Sequence, residues 1–204
     1  MSERIGVFGG TFDPIHYGHL IAAVELRHAL SIDRVLFVPA PRPPHKRSGL
    51  VGSDHHRLAM VRLAITGEES FEVSTIEYER SGPSYTADTL VELHEGHTDA
   101  AFFLFLGEDA LRDFPTWHQP ERILGLAHLA VATRPRSHLD LDQLYRTLPE
   151  IQDRVTLVPT PSIGISATDL RARASTGRPL RYQTTDAVID YIGEHGMYRT
   201  RNTV

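Results

Sequence analysis

The sequence predicts an α/β fold in which a doubly wound parallel sheet forms a single domain. Short apolar runs alternate with longer helical segments, several runs are apolar at nearly every position, and 204 residues suit one domain. Such runs are typical of strands covered by helices on both faces, and the alternation implies right-handed crossovers between parallel strands. The predicted strands are Arg4–Phe8, Arg34–Val38, Glu72–Tyr78, Ala101–Leu106, His128–Ala132 and Val155–Val158.

Helices are predicted between these strands and at the end of the chain. In the second helix Leu58, Val61 and Ile65 share one face and Ser53 is placed to cap the start. The last helix closes at Gly196, which suits a left-handed C-terminal position. We therefore expect one Rossmann-like domain over residues 1–204, with a short C-terminal helical part from about residue 165. The predicted helices are Gly18–Leu30, Ser53–Thr66, Thr86–Glu95, Gln119–Leu124, Leu141–Leu148 and Thr185–His195.

Composition narrows the function classes. The formal net charge is -5 and the chain has no cysteine, which excludes disulfides, thiolate metal sites and a cysteine nucleophile. An acidic balance argues against a protein that coats nucleic acid. No apolar run approaches the ~20 residues of a membrane span, and no secretory signal is visible at the N-terminus. We expect a cytoplasmic protein with small-molecule partners, no nucleic acid and no membrane, and a homo-oligomer remains open.

The most informative stretch is the turn between the first strand and the first helix. Gly9 and Gly10 let the backbone approach a phosphate, and the next helix offers unpaired N–H groups. His16 and His19 are three residues apart, so they share a helix face and suit one phosphate. Taken singly, a double glycine is more often a plain turn, and His-x-x-His is more often structural or a metal ligand pair. Since no third ligand is suggested beyond Asp13, the sequence favours phosphate over metal.

Residues Gly10-Thr11-Phe12-Asp13-Pro14-Ile15-His16-Tyr17-Gly18-His19 resemble the T/H-x-G-H motif of the nucleotidyltransferase superfamily. Further segments resemble bacterial nicotinate mononucleotide adenylyltransferases, and the likeness extends over nearly all 204 residues. These segments are Pro43-Pro44-His45-Lys46, Ser84-Tyr85-Thr86-Ala87-Asp88-Thr89-Leu90, Phe114-Pro115-Thr116-Trp117-His118, Ile165-Ser166-Ala167-Thr168-Asp169-Leu170-Arg171 and the ending, with Arg181-Tyr182, Tyr191-Ile192 and His195-Gly196-Met197-Tyr198.

The resemblance implies adenylyl transfer from ATP to nicotinate mononucleotide, with Mg²⁺ accompanying ATP and no metal ligand from the protein. It implies catalytic roles for His16, His19 and Lys46. ATP is then expected at Gly9, Gly10, Thr11, Phe12, His16, His19, Gly107, Asp109, Ser166, Thr168 and Arg171. The mononucleotide is expected at Lys46, Tyr85, Thr86, Asp88, Trp117 and Arg134.

Several of these residues are of types that more often have ordinary structural roles. A loop lysine such as Lys46 is usually solvated, a single tryptophan such as Trp117 is usually core, and Asp88 suits a first helical turn. Ser166 and Thr168 are both suited to capping a helix. Glu108 stands where the resembling family usually has alanine. Open alternatives are transfer to nicotinamide mononucleotide or phosphopantetheine, a non-catalytic nucleotide-binding module, and a histidine-rich metal-binding protein.

Overall fold

The sheet of the computed structural model has six parallel strands in the order β3-β2-β1-β4-β5-β6. The structure describes residues 2–44, 52–134 and 139–199. From β1 the chain adds β2 and β3 on one side and then returns to place β4 on the other, so the order reverses between β1 and β4. The strands are β1 Arg4–Gly10, β2 Arg34–Pro39, β3 Phe71–Val73, β4 Ala101–Gly107, β5 Ala127–Thr133 and β6 Val155–Pro159.

Helices cover both faces of the sheet, which confirms the doubly wound α/β fold. Among the described residues, none of them is long and apolar enough to cross a bilayer. Three short 3₁₀ segments lie at Ile76–Tyr78, Phe114–Thr116 and Pro149–Arg154. The α-helices are α1 Tyr17–Ala29, α2 Asp54–Ile65, α3 Thr86–Gly96, α4 Glu108–Asp113, α5 Pro120–Leu126, α6 Leu141–Thr147, α7 Ala167–Ser175 and α8 Asp186–Glu194.

The two faces of β4 show why this strand is apolar throughout. Phe103 and Phe105 pack into the hydrophobic cluster that holds α1, α2, α7 and α8. Leu104 and Leu106 point the other way, into the cluster that holds α3, α4, α5 and α6. A central strand buried on both sides therefore gives two cores with one shared sheet between them.

Two local predictions were wrong. Glu72–Tyr78 is not one strand, because the strand ends at Val73 and the chain continues into the 3₁₀ segment Ile76–Tyr78. The β-branched and aromatic pattern is overridden there, since the turn buries Glu77 beside Thr89 of α3, with 2.6 Å between Thr89 Oγ1 and Glu77 Oε1. Ser53 holds the N-cap position of α2, but its hydroxyl contacts the His55 ring at 2.9 Å instead of a helix N–H.

Candidate active site

The turn after β1 lies at the carboxyl ends of β1 and β4, beside the reversal of strand order. Gly10 is required there, since a Cβ at this position would lie 2.8 Å from the Phe12 ring. Phe12 itself adopts a left-handed φ of 46° and is 1% exposed. Its ring packs edge-on against His19, 5.1 Å between centroids. Phe12 thus shapes the turn from beneath and holds His19, while the backbone of the turn lines the site.

His16 and His19 begin α1 with their imidazole rings on one face. His16 occupies the N-cap, and its backbone N–H donates to His19 Nδ1 at 3.2 Å. A ring nitrogen that accepts carries no proton, so His19 holds its proton on Nε2. This bond therefore selects the tautomer in which Nε2 is the hydrogen-bond donor of His19.

The His16 ring is buried at 6% exposure, and burial lowers its pKa to about 4. His16 is therefore neutral at pH 7 in the protein without ligand. Its Nδ1 is buried without a hydrogen-bond partner among the described residues. Such an atom costs stability unless a ligand meets it, and buried orphan atoms of this kind often belong to functional sites.

A cavity of about 380 Å³ opens above this turn. One wall comes from Gly9–Phe12 and the two histidines, and the opposite wall comes from Gly107–Ala110 at the end of β4 and start of α4. Glu108 accepts the backbone N–H of Arg134 at 2.5 Å, which ties the end of β4 to the end of β5. The Glu108 carboxylate, at a position where the resembling family usually has alanine, thus holds the ends of β4 and β5 together.

A second cavity of about 250 Å³ adjoins the first and shares Gly9, Gly10 and Thr11 with it. It is lined on its far side by Glu77, Ser84, Thr86 and Trp117. A recess of about 90 Å³ continues from it between Thr86, Trp117 and Tyr85, whose ring stacks on His118 at 4.2 Å between centroids. The two cavities therefore meet over the turn that follows β1.

Trp117 occupies a middle position between the core and solvent. It is half-buried, and its ring lies against the buried Phe114 with 5.4 Å between centroids. The same ring lines both the second cavity and its recess. One edge therefore packs into the core while the ring remains accessible to a ligand.

The remaining predicted residues lie in different surroundings, and Asp109 is in the wall of the first cavity. Arg134 lies in the wall of the first cavity and not in that of the second. Asp109 pairs with Arg112 of its own helix at 2.9 Å and is largely exposed. Asp88 lies in the first turn of α3 and lines none of the cavities described above. Lys46 falls outside the described residues.

The predicted residues at and near the start of α7 form hydrogen bonds within the protein in this structure. Ser166 caps the helix, accepting the N–H of Asp169 at 3.1 Å. Thr168 does not cap, since its hydroxyl accepts from Arg171 at 3.3 Å. Arg171 donates through Nη1 to the Asp13 carbonyl at 2.8 Å. The guanidinium that the resemblance assigns to phosphate is thus already fixed against the segment between β1 and α1, at Asp13.

Sequence reasoning missed the residues that hold the turn from behind. Asp13 is buried, and its carboxylate accepts from the Tyr198 hydroxyl at 2.8 Å and from the Gly52 N–H at 3.0 Å. Thr184 donates to the Ile15 carbonyl at 2.9 Å. These partners lie far away in the chain, so the only sequence signal was the polar character of Asp13 within an apolar turn.

Acidic and histidine side chains do not gather into a metal centre in the part of the chain that the structure describes, where no group of three or more is placed to hold an ion. The carboxylates nearest the first cavity, Glu108 and Asp109, are held by Arg134 N–H and Arg112.

Two adjoining cavities over a glycine turn and paired histidines, at the reversal point of a parallel sheet, define a nucleotide-binding α/β protein. A family model described as cytidylyltransferase-like matches residues 7–173. The chain is 49% identical over 198 residues to a Thermomicrobium roseum protein named "probable nicotinate-nucleotide adenylyltransferase", covering 97% of this chain and 92% of that one. A Roseiflexus sp. protein of the same name is 50% identical, with 97% and 99% covered.

Solved structures give the same fold. Nicotinic acid mononucleotide adenylyltransferase from Plasmodium falciparum complexed with NaAD superposes with a TM-score of 0.77 at 21% identity, covering 96% of this chain and 97% of that one. The same enzyme complexed with APC gives 0.76. The chain belongs to the cytidylyltransferase-like family and, within it, to the nicotinate-nucleotide adenylyltransferases.

Proposed function

We propose that the protein transfers the adenylyl group of ATP to nicotinate mononucleotide, giving nicotinate adenine dinucleotide and pyrophosphate in NAD biosynthesis. The observation that carries the proposal is the meeting of two cavities over one phosphate turn, Gly9–Thr11. ATP occupies the larger cavity and the mononucleotide the smaller, so their phosphates come together above His16 and His19. The names of close relatives support this choice of acceptor.

The reaction is an in-line displacement. A phosphate oxygen of the mononucleotide attacks the α-phosphorus of ATP, and a new phosphorus–oxygen bond forms. The bond from the α-phosphorus to the oxygen shared with the β-phosphate breaks, and pyrophosphate leaves with that electron pair. A phosphate monoester is ionised near pH 7, because its second pKa is about 6. The protein therefore needs no strong base, and positioning and charge stabilisation carry the catalysis.

His19 supplies a fixed donor for the reacting phosphates. Its Nδ1 is engaged by the His16 backbone N–H at 3.2 Å, which keeps the proton on Nε2. A donor that is already oriented pays no reorganisation cost as negative charge develops in the transition state. In the protein without ligand the His16 ring is neutral near pH 7, since its pKa is about 4. A bound polyanion raises that pKa and favours protonation.

The remaining assignments extend the same proposal. Arg171 and Lys46 hold the outer phosphates, with Ser166 and Thr168 at the N-terminus of α7 beside them. Gly107 and Asp109 hold the adenosine part. A Mg²⁺ ion would be held by the nucleotide phosphates, with no described side chain assigned to it, and would supply positive charge to neutralise the polyphosphate. Tyr85, Thr86, Asp88, Trp117 and Arg134 serve the mononucleotide, with Arg134 reaching it from the ATP side. The proposal also places the protein in the cytoplasm, a location that suits both substrates.

A pyrophosphate-release assay tests the function. Purified protein is given ATP and Mg²⁺ with nicotinate mononucleotide, nicotinamide mononucleotide or phosphopantetheine, and the dinucleotide product is identified by mass. The proposal expects release of pyrophosphate with the nicotinate form and a product mass of nicotinate adenine dinucleotide. Release with phosphopantetheine alone would move the protein to another branch, and no release with any acceptor would indicate a binding module.

A further inference from the structure

The largest fully buried side chain of the described residues is Arg57 of α2, which is 1% exposed. An arginine buried to this degree must place its N–H groups on acceptors, because an unmet guanidinium donor is costly away from water. Arg57 meets this demand with backbone carbonyls alone in the hydrogen bonds described.

The carbonyls come from two loops that face the site. Nη1 donates to Thr11 at 2.8 Å and to Ala40 at 2.7 Å. Nη2 donates to Pro41 at 3.2 Å, and Nε donates to Gly52 at 3.2 Å. One planar group therefore joins the phosphate turn, through Thr11, to the chain that leaves β2 and to the chain that enters α2.

Gly52 also links the chain that enters α2 to the segment between β1 and α1. Its N–H donates to the Asp13 carboxylate at 3.0 Å, and a Cβ at this position would lie 2.6 Å from Asp13 Oδ1. The carbonyl and the N–H of one residue thus connect Arg57 to Asp13, two residues beyond the phosphate turn. The arrangement leaves no room for a side chain, so the residue has to be glycine.

We infer that Arg57 is a positioning residue for adenylyl transfer: it fixes the distance between the phosphate turn and the two loop ends at Pro41 and Gly52. Thr11 lines both cavities and Ala40 lines the second, so Arg57 fixes this wall of the second cavity relative to the turn that the two cavities share. This role rests on the proposed function, since it concerns the alignment of the two substrates.

The geometry explains why arginine is needed. A guanidinium is planar and carries five N–H donors in a fixed fork, whereas a lysine ammonium offers three donors from one point. Lysine keeps the charge and much of the length but cannot span the Thr11, Ala40, Pro41 and Gly52 carbonyls together. A misplacement of about 1 Å between reacting groups is enough to cost on the order of 10²-fold in rate.

The test compares Arg57→Lys with Met60→Ala. Met60 lies one turn further along α2 and is fully buried in the core, so its replacement lowers stability and removes none of the hydrogen bonds from Arg57 to the loops. Both variants are assayed at a temperature where circular dichroism shows each fully folded. We expect Arg57→Lys to lose on the order of 10²-fold in kcat, with both KM values within about threefold of wild type. Met60→Ala is expected to keep kcat within about twofold, because the site geometry is unchanged.

A second variant, Gly52→Ala, places a methyl group against the Asp13 carboxylate and leaves Arg57 itself unchanged. It is expected to lower kcat by at least about tenfold. The inference is overturned if folded Arg57→Lys or folded Gly52→Ala keeps wild-type kcat, or if Met60→Ala loses as much turnover as Arg57→Lys. Inactive wild-type protein would instead count against the proposed function. Failure of the Arg57 inference can therefore be told apart from failure of the proposed function.

Discussion

The imidazole rings of His16 and His19 are stacked, with 3.7 Å between centroids and 24° between planes. Two cations so close repel each other, so the stacked pair does not carry two charges without an anion beside it. Burial already lowers the pKa of His16 to about 4. In the proposed reaction, bound phosphate is the anion that lets the pair take up a proton, and each of the two rings supports one prediction.

Replacing His19 by alanine should remove most turnover while the protein stays folded. The change deletes the donor at Nε2 that the His16 backbone N–H orients. Loss of one such donor typically lowers kcat by about 10²–10³-fold. Steady-state kinetics of His19→Ala should be compared with those of His28→Ala, an exposed histidine of the same helix. A folded His19→Ala protein that keeps more than about a third of wild-type kcat is incompatible with this role.

His16 should make folding stability depend on pH. Its pKa is about 4 in the folded protein against 6.5 for an ordinary histidine, because burial disfavours the charged ring. Between these values the unfolded chain binds a proton that the folded chain does not, so the free energy of unfolding falls as pH falls. The loss from pH 6.5 to pH 5 is at most about 2 kcal/mol.

Urea unfolding at pH 7 and pH 5 measures this effect in the protein without ligand. His16→Gln, which cannot take up a proton, should lose less stability over this interval than wild type. His28→Gln serves as the control and should follow wild type, since its ring is exposed. Equal pH dependence in wild type and His16→Gln would show that the His16 ring is not held neutral by the fold.

The fold was predictable because its signals are local and repeated. Five of the six strands were predicted within two residues at each end, since a strand covered on both faces is apolar throughout. The last helix and the left-handed Gly196, with φ of 57°, were also predicted. The segment Glu72–Tyr78 failed because tertiary burial of Glu77 overrode a strand-like pattern. Helix α4 has only six residues and gave no clear periodicity.

From residue spacing alone, only the part of the candidate site that is continuous in sequence was predictable, whereas Tyr85, Thr86 and Trp117 were assigned through the resemblance. The turn from Gly9 to His19 could be interpreted because strand, glycines and helix start are adjacent. Contacts between distant positions left no such pattern, as with Tyr198 and Asp13, which are 185 residues apart. Arg57 gave no signal for the same reason, since all its acceptors are backbone carbonyls and any sequence supplies those.

Trp117 should contribute to binding of the mononucleotide and little to ATP. Its ring lines the second cavity and the recess beside Thr86, and base or ring stacking contributes about 1–3 kcal/mol when tested by alanine substitution. Trp117→Ala should raise the KM for the mononucleotide about fivefold or more, while the KM for ATP changes little. Trp117→Phe, which keeps an aromatic face, should recover most of the difference.

The chain has one tryptophan, so its fluorescence reports on this ring without interference. Titration of wild-type protein with the mononucleotide should change the emission. An unchanged mononucleotide KM in Trp117→Ala would mean that the contact with Phe114, 5.4 Å between ring centroids, is the whole role of the side chain.

The last prediction concerns the acid and amide forms of the mononucleotide. We expect at least a tenfold preference in kcat/KM for the acid. The recess between Thr86 and Trp117 is bordered by the start of α3, where the first N–H groups have no partner within the helix. These groups donate only, and they lie at the positive end of the helix dipole. A carboxylate accepts through both oxygens and suits this environment.

A carboxamide presents one NH₂ group in place of an oxygen, so a donor would face a donor and both would stay unpaired. A buried unpaired group costs about 1–3 kcal/mol, which corresponds to roughly 5- to 150-fold. The backbone performs this discrimination, so Thr86→Val should leave the preference nearly unchanged. The measurement is kcat/KM for both mononucleotides under one set of conditions, in wild type and in Thr86→Val. Equal values for acid and amide in wild type would contradict the specificity while leaving adenylyl transfer intact, and a preference lost in Thr86→Val would assign the discrimination to the side chain.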